Sequence, residues 1–307
     1  MRRIHEKIKD LVELQPYEEV QNFIAEPARV LSAYRFTTVT SELIVRWLDM
    51  LAAMPAGSGV ARALAGIRGV GKSHLLAAFG ALAAMPELSS TVTDAQVATS
   101  ARALTYKRSL IVNVQRGTRE TLIEELRSAF AAAFGNEEAD WRGDPQEILS
   151  VAASRLGNTP LVVIIDTAFG RPARVSRDDG ALLSQLAETT KYVSAFVGLA
   201  LDDDIAGADG ANVSLTGSYQ IDWLDPEHLY QIADVHLFSK NIQSRNVMHE
   251  IYTHLRNTVP GFNWSEPRFT SVYPIHPVVM DITPAVRLYA HTFAFLPFAA
   301  SVFPHIS

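Results

Sequence analysis

Eight consecutive residues constrain this chain more than any others: Gly66-Ile67-Arg68-Gly69-Val70-Gly71-Lys72-Ser73. They match the pattern G-x-x-x-x-G-K-[ST] in full. Glycines let such a loop turn tightly and aim successive backbone N–H groups at phosphate oxygens. The flanks suit the motif. Val60 to Ile67 is a short apolar run that reads as the first core strand, and Lys72 to Ala84 reads as a helix. A helix starting there adds its positive end to the same anion site. Lys72 is expected to reach the β- and γ-phosphates of a nucleoside triphosphate, and the Ser73 hydroxyl to ligate Mg²⁺. The expected phosphate-binding set is Gly66, Ile67, Arg68, Gly69, Val70, Gly71, Lys72, Ser73 and His74, with ATP and Mg²⁺ as cofactors.

A P-loop needs a second element to hold its metal. Leu161-Val162-Val163-Ile164-Ile165 is apolar throughout, which suits a central parallel strand covered on both faces, and it ends in Asp166. This has the form of a Walker B strand, so Lys72 and Asp166 are the candidate catalytic pair, with Ser73 and Asp166 on the metal. Along the chain, a strand at Leu110–Val114 falls between the P-loop and this Asp. An inserted strand is the mark of the P-loop division that includes AAA+ ATPases, helicases and STAND NTPases. In that division a Glu often follows the Walker B Asp and polarises the attacking water; here the next residue is Thr167. Threonine cannot act as a carboxylate base. Asp178, Asp179 and Glu188 are the alternative candidates, and hydrolysis is less secure than binding.

Further strands are predicted over Tyr192–Leu201 and Ser218–Leu224, and helices over Ser41–Met54, Asp94–Thr105, Thr118–Phe134, Pro145–Leu156 and Leu182–Thr190, from apolar spacing. Asp202, at a strand end beside Asp203 and Asp204, is a candidate γ-phosphate sensor or simply part of a solvated turn. Asn113 and Gln115 face the phosphate side in this topology and rank no higher. Arg171, Arg174 and Arg177 form a cluster read as a solvated basic loop in preference to an arginine finger. Asp225-Pro226-Glu227 reads as a helix start, followed by a mostly helical stretch to about Asn257. The expected architecture is therefore α/β: a parallel-sheet P-loop NTPase core of the additional-strand, AAA+-like kind. N-terminal helices flank it and a C-terminal helical lid follows. The expected division is 1–40, a helical segment; 41–224, the ATPase core; and 225–307, the lid region.

Composition narrows the alternatives. The 307 residues carry a formal net charge of −6, which disfavours a broad duplex-DNA-binding face. The sequence has no cysteine, so cysteine-ligated metal sites are absent. The nine histidines show no HExxH spacing. No apolar h-region follows the basic start, and the apolar stretch His291–Phe303 is shorter than the roughly 20 residues of a membrane helix. A cytoplasmic protein with no membrane partner is expected. Because Ala294–Phe303 is apolar and no closing element follows, the chain is read as the N-terminal part of a longer protein.

Three segments together carry a resemblance: Lys7-Ile8-Lys9-Asp10-Leu11-Val12-Glu13-Leu14, Gly71-Lys72-Ser73-His74-Leu75-Leu76 and Tyr273-Pro274-Ile275-His276-Pro277. The sequence resembles the large P-loop ATPases of bacterial phage-resistance (BREX) loci, the BrxC/PglY type, over their N-terminal portion. The resemblance implies a cytoplasmic AAA+-like ATPase working with other phage-defence proteins, as a possible homo-oligomer and with DNA engaged at most indirectly. It carries Gly66, Gly69, Gly71, Lys72 and Ser73 over as phosphate and Mg²⁺ contacts and Asp166 as the metal holder. Thr167 departs from the Glu expected there, which puts turnover in doubt. An ATP-bound scaffold without turnover and a STAND-type signalling NTPase are the competing readings. His276, within the Tyr273–Pro277 turn, is read as a packed or capping residue.

Overall fold

The computed structural model describes residues 7–16, 22–166, 177–202, 211–287, 289–290 and 293–306. It divides into two compact units. One comprises Val20–Ile67 and Gly71–Leu224, the other Met1–Glu19, Arg68–Val70 and Asp225–Ser307.

The first unit is built on a five-stranded sheet. Its strands are β1 (Val60–Gly66), β2 (Leu110–Gln115), β3 (Leu161–Asp166), β4 (Ala195–Asp202) and β5 (Gln220–Trp223). They lie in the order β2-β3-β4-β1-β5, and every pair is parallel. The strand inserted between the P-loop strand and the Asp166 strand is therefore β4; β2, which intervenes along the chain, lies at the sheet's edge. Parallel strands need crossover helices, which is why both faces are covered and β3 is buried along its whole length.

Strand alternation sorts the two faces. Ala63, Ala65, Val112, Val114, Val163, Ile165, Val197 and Leu199 pack into one core with Leu126, Phe130, Ile148 and Leu186 from the helices Leu122–Phe134, Pro145–Leu156 and Arg177–Thr189. The opposite face, with Ile164, Phe196 and Gly198, meets the helices Lys72–Ala84 and Thr38–Ala53. Phe79 lies 4.9 Å from Phe196 and 5.4 Å from Trp47, ring centre to ring centre. The helix Lys72–Ala84 is apolar around most of its circumference and buried from Leu75 to Ala83. It approaches the sheet so closely at Gly80 that an added Cβ would stand 2.6 Å from Cδ1 of Ile164.

At the edge strand, Asp222 is buried and accepts from Trp47 Nε1 (2.8 Å), Arg46 Nη1 (2.8 Å) and Arg62 Nη2 (2.6 Å). This links β5 to β1 and to the helix Thr38–Ala53. That helix begins earlier than its apolar spacing suggests. Thr37 caps it, accepting from Thr40 N, while Thr40 Oγ1 accepts from Thr37 N. Thr40 is thus the reciprocal partner of the cap.

In the second unit, Asp225 does not cap a helix directly: its carboxylate accepts from Glu227 N (2.8 Å), and the helix starts at His228. The stretch after it is less uniformly helical than its composition suggests. A π-helical turn spans Ala233–Leu237, and Phe238–Ser239 pairs antiparallel with Glu13–Leu14. The helix Ile242–Thr258 follows. Tyr252, Phe262 and Phe269 form a small aromatic core. Asp281 accepts from Trp264 Nε1 (2.6 Å) and Tyr230 OH (3.2 Å). The peptide bond Tyr273–Pro274 is cis, and His276 Nδ1 accepts from Val278 N (3.2 Å). Among the described residues, no helix is long and apolar enough to cross a membrane.

Candidate nucleotide site

The loop from Gly66 to Gly71 joins the carboxyl end of β1 to the helix Lys72–Ala84. Three of its residues have positive φ: Gly66 (154°), Gly69 (87°) and Gly71 (92°). A side chain at Gly69 or Gly71 would strain the turn, so the glycine spacing is a backbone requirement of this loop. Gly71 stands at the N-cap in the left-handed conformation and offers no side-chain cap. The first-turn N–H groups of a helix have no intrahelical acceptors. The helix that begins at Lys72, Ser73 and His74 has no side-chain cap, and its positive end lies where an anion can bind.

Lys72 is buried, 3% exposed, and its ammonium donates to the carbonyls of Gly66 (2.7 Å) and Ile67 (3.0 Å). The lysine thus folds over the loop, holding a positive charge against the turn. Ser73 and His74 are half-buried beside it.

Asp166 closes β3 and is 7% exposed. Its register partners fix where it lies. Asp166 pairs with Ala200 of β4, and Ala200 pairs with Leu64 of β1, two residues before Gly66. The Asp166 strand end and the start of the loop thus share the carboxyl edge of the sheet, two strand spacings across and two residues along, about 12 Å apart. By alternation from Ile164, Asp166 lies on the face covered by the helix Lys72–Ala84, whose first turn carries Lys72 and Ser73. The backbone turns, the uncapped helix start and this edge carboxylate fit a triphosphate with Mg²⁺. Lys72 and the N–H groups would hold phosphate, and Ser73 and Asp166 the metal.

The structure separates the candidates for a catalytic base. Asp179 is buried and engaged by Arg116, whose Nε donates to Asp179 Oδ2 at 3.0 Å. Glu188 is exposed and paired with Lys191. It lies in the last turn of the helix Arg177–Thr189, and just beyond that helix Thr190 O accepts from Gly59 N (2.6 Å), immediately before β1. Glu188 therefore sits at the amino edge of the sheet, opposite the loop. Neither residue is a base for this site. Asp202 pairs with Gly66 in register. Its side chain, those of Arg177 and Asp178, and the residues Thr167, Arg171, Arg174, Asp203 and Asp204 lie outside the described residues.

Sequence reasoning passed over Arg116, Glu125 and their surroundings. Glu125 is 2% exposed, and one of its oxygens accepts from three consecutive backbone N–H groups: Gly117 (2.6 Å), Thr118 (2.7 Å) and Arg119 (2.9 Å). Its other oxygen lies 3.3 Å from Arg116 Nη1, an ion pair without hydrogen-bond alignment. Arg116 N donates to Asp166 O (3.0 Å), so the cluster abuts the candidate metal ligand. The available signal was a basic residue directly after a strand end, with a Glu in the first turn of the next helix.

Strand order, glycine loop and following helix together define an α/β P-loop NTPase core. No protein-family model matches the chain, and no curated protein matches it. Among solved structures the chain is similar to PCH-2 of C. elegans, with 11% identity, 91% of this chain and 70% of that chain covered, and a TM-score of 0.39. It is also similar to AMPPCP-bound DnaA from Aquifex aeolicus (9% identity, 84% and 64% covered, TM-score 0.33) and to the Walker-type ATPase PABY2304 of Pyrococcus abyssi (17%, 84% and 71%, TM-score 0.34). Likenesses this distant carry no argument about function, and the fold assignment stands on the sheet and the loop.

Proposed function

We propose that the chain binds ATP with Mg²⁺ at Gly66–His74 and Asp166 and hydrolyses it, acting as the nucleotide-driven component of a bacterial phage-defence complex. The observation that carries the nucleotide reading is the shared carboxyl edge. It brings a glycine turn, an uncapped helix start, a buried lysine and a buried aspartate to one end and one face of the sheet. Lys72 would leave the carbonyls of Gly66 and Ile67 for phosphate oxygens, and Ser73 and Asp166 would orient the metal. The bound Mg²⁺ would supply charge neutralisation on the β- and γ-phosphates. The phage-defence setting rests on the resemblance of Lys7–Leu14, Gly71–Leu76 and Tyr273–Pro277 to BrxC/PglY-type ATPases. Residues 225–307 are the proposed lid.

Thr167, in place of a glutamate, favours a second reading: an ATP-bound scaffold with little turnover. Nucleotide binding and phosphate release by wild type and Lys72→Ala separate the two. ATPase function requires Mg²⁺-dependent binding and phosphate release that both collapse in the variant. Tight, Lys72-dependent binding without release would establish the scaffold. Binding indifferent to Lys72 would remove the nucleotide site from this loop.

A further inference from the structure

Resting on the ATPase reading, we propose that Gln115 is the residue that orients the attacking water, in place of the carboxylate missing at Thr167. Gln115 is the last residue of β2 and pairs in register with Asp166, the last residue of β3. Adjacent parallel strands lie about 4.8 Å apart, so the two side chains are immediate neighbours on one face. That face is the one covered by the helix Lys72–Ala84, because Asn113, two residues earlier on β2, pairs with Ile164. Gln115 is half-buried, and among the described residues its carboxamide makes no hydrogen bond; only its backbone carbonyl is engaged, by Thr118 Oγ1 at 3.0 Å. A half-buried amide without a partner beside a metal-ligand candidate is poised for a ligand's polar atoms.

The strand tip that carries Gln115 is held with unusual thoroughness. Arg116, the next residue, donates its backbone N–H to Asp166 O and anchors its guanidinium between Glu125 and Asp179. Glu125 then ties down the three amides that follow. Arg116 and Glu125 are thus positioning residues: they fix β2 against β3 at the point where Gln115 meets Asp166. Such fixing is what orientation of a reactant requires, since small misplacements cost large factors in rate.

The chemistry balances without a protein base. The Gln115 carbonyl oxygen accepts a hydrogen bond from water and its amide donates to a γ-phosphate oxygen. The water oxygen forms a bond to the γ-phosphorus as the bond to the bridging oxygen of ADP breaks, and the water's proton passes to a phosphate oxygen. Orientation by glutamine suffices because the transition state depends mostly on positioning and charge stabilisation.

The test measures MgATP binding and phosphate release in the full-length protein for wild type, Gln115→Ala and Gln115→Glu. Gln115→Ala should keep the wild-type Kd for MgATP within about threefold while kcat falls on the order of 100-fold. Gln115→Glu should retain turnover and acquire an acid limb in its pH–rate profile, because a carboxylate there would accept the water's proton only when ionised. Turnover by Gln115→Ala within threefold of wild type would overturn the proposal. So would a loss of binding as large as the loss of rate, or Lys72-dependent binding by wild type with no release. Absence of ATP binding by wild type would sink the ATPase reading itself, and the inference with it.

Discussion

Replacing Glu125 by Gln changes one atom and should loosen the edge of the candidate site. In the folded protein the Glu125 carboxylate accepts three backbone N–H groups at 2.6–2.9 Å and faces Arg116 Nη1 at 3.3 Å, all at 2% exposure. A hydrogen bond to a charged acceptor contributes about 1.5–3 kcal/mol and a neutral one about 0.5–1.5 kcal/mol. Neutralising the acceptor of three such bonds should therefore cost on the order of 3 kcal/mol. The lost ion pair adds to this, but Asp179 still compensates Arg116, so the total should stay near the lower end of the roughly 3–5 kcal/mol for breaking a buried pair. Because the chain has two compact units, a single global unfolding energy is a poor readout. Hydrogen exchange of the amides of Gly117, Thr118 and Arg119 reports the local opening directly. At about 1.4 kcal/mol per tenfold, their protection should fall on the order of 100-fold in Glu125→Gln. The helix Lys72–Ala84 should be unaffected. Protection within threefold of wild type at these amides would refute the reasoning, since it would mean that the loop's order does not depend on that charge.

Two further predictions concern packing and pH. Gly80→Ala places a methyl group 2.4 Å from Phe23 Cε2 and 2.6 Å from Ile164 Cδ1, so it should destabilise the first unit by about 1–3 kcal/mol, read as an earlier thermal or urea transition. The side chain of Lys240 is fully buried, bonded to Asp234 (2.8 Å) and Ser271 O (2.9 Å), and burial lowers its pKa from 10.5 to about 8. Below pH 8 the folded and unfolded chains both hold the proton, and the penalty for burying the charge is present in full. Between about 8 and 10.5 the unfolded chain binds more proton, so this group makes stability rise with pH, by up to about 3 kcal/mol. Lys240→Met should remove that rise when wild-type and variant urea midpoints are compared across this window, and an unchanged slope would exclude Lys240 as its source.

Much of the fold was legible because its signals are local. The glycine turn, the apolar run Leu161–Ile165 and the helix-forming run Lys72–Ala84 that follows the turn each announce themselves within about a dozen residues, and those elements fall where the sequence puts them. What stayed hidden was non-local. Nothing in the sequence ranks the strands across the sheet, so the intervening position of β4 emerges only from hydrogen-bond register. The antiparallel pairing of Glu13–Leu14 with Phe238–Ser239 joins segments more than two hundred positions apart and too short to show alternation. The start of the helix Thr38–Ala53 is hidden for a different reason: Thr37, Thr40 and Ser41 are all cap-competent residue types, and the reciprocal bonding of Thr37 and Thr40 decides between them.

The same distinction governs which residues can serve the chemistry. A search along the chain for a carboxylate to replace the one absent at Thr167 finds acidic residues on the next helix, because that helix is next in sequence. A helix returning over a parallel sheet carries its residues away from the carboxyl edge at about 1.5 Å each, so its last turn ends near the opposite edge. This is the position of Glu188, against the strand start at Gly59 and Val60. Its first turn stays near the edge, but there Asp179 is committed to Arg116. Proximity to Asp166 is instead a property of register. Gln115 precedes Asp166 by half a hundred positions in the chain, yet adjoins it in the sheet. A group that must act beside a strand-end aspartate is best sought on the tips of the neighbouring strands, and on β2 that criterion selects an uncharged side chain, Gln115.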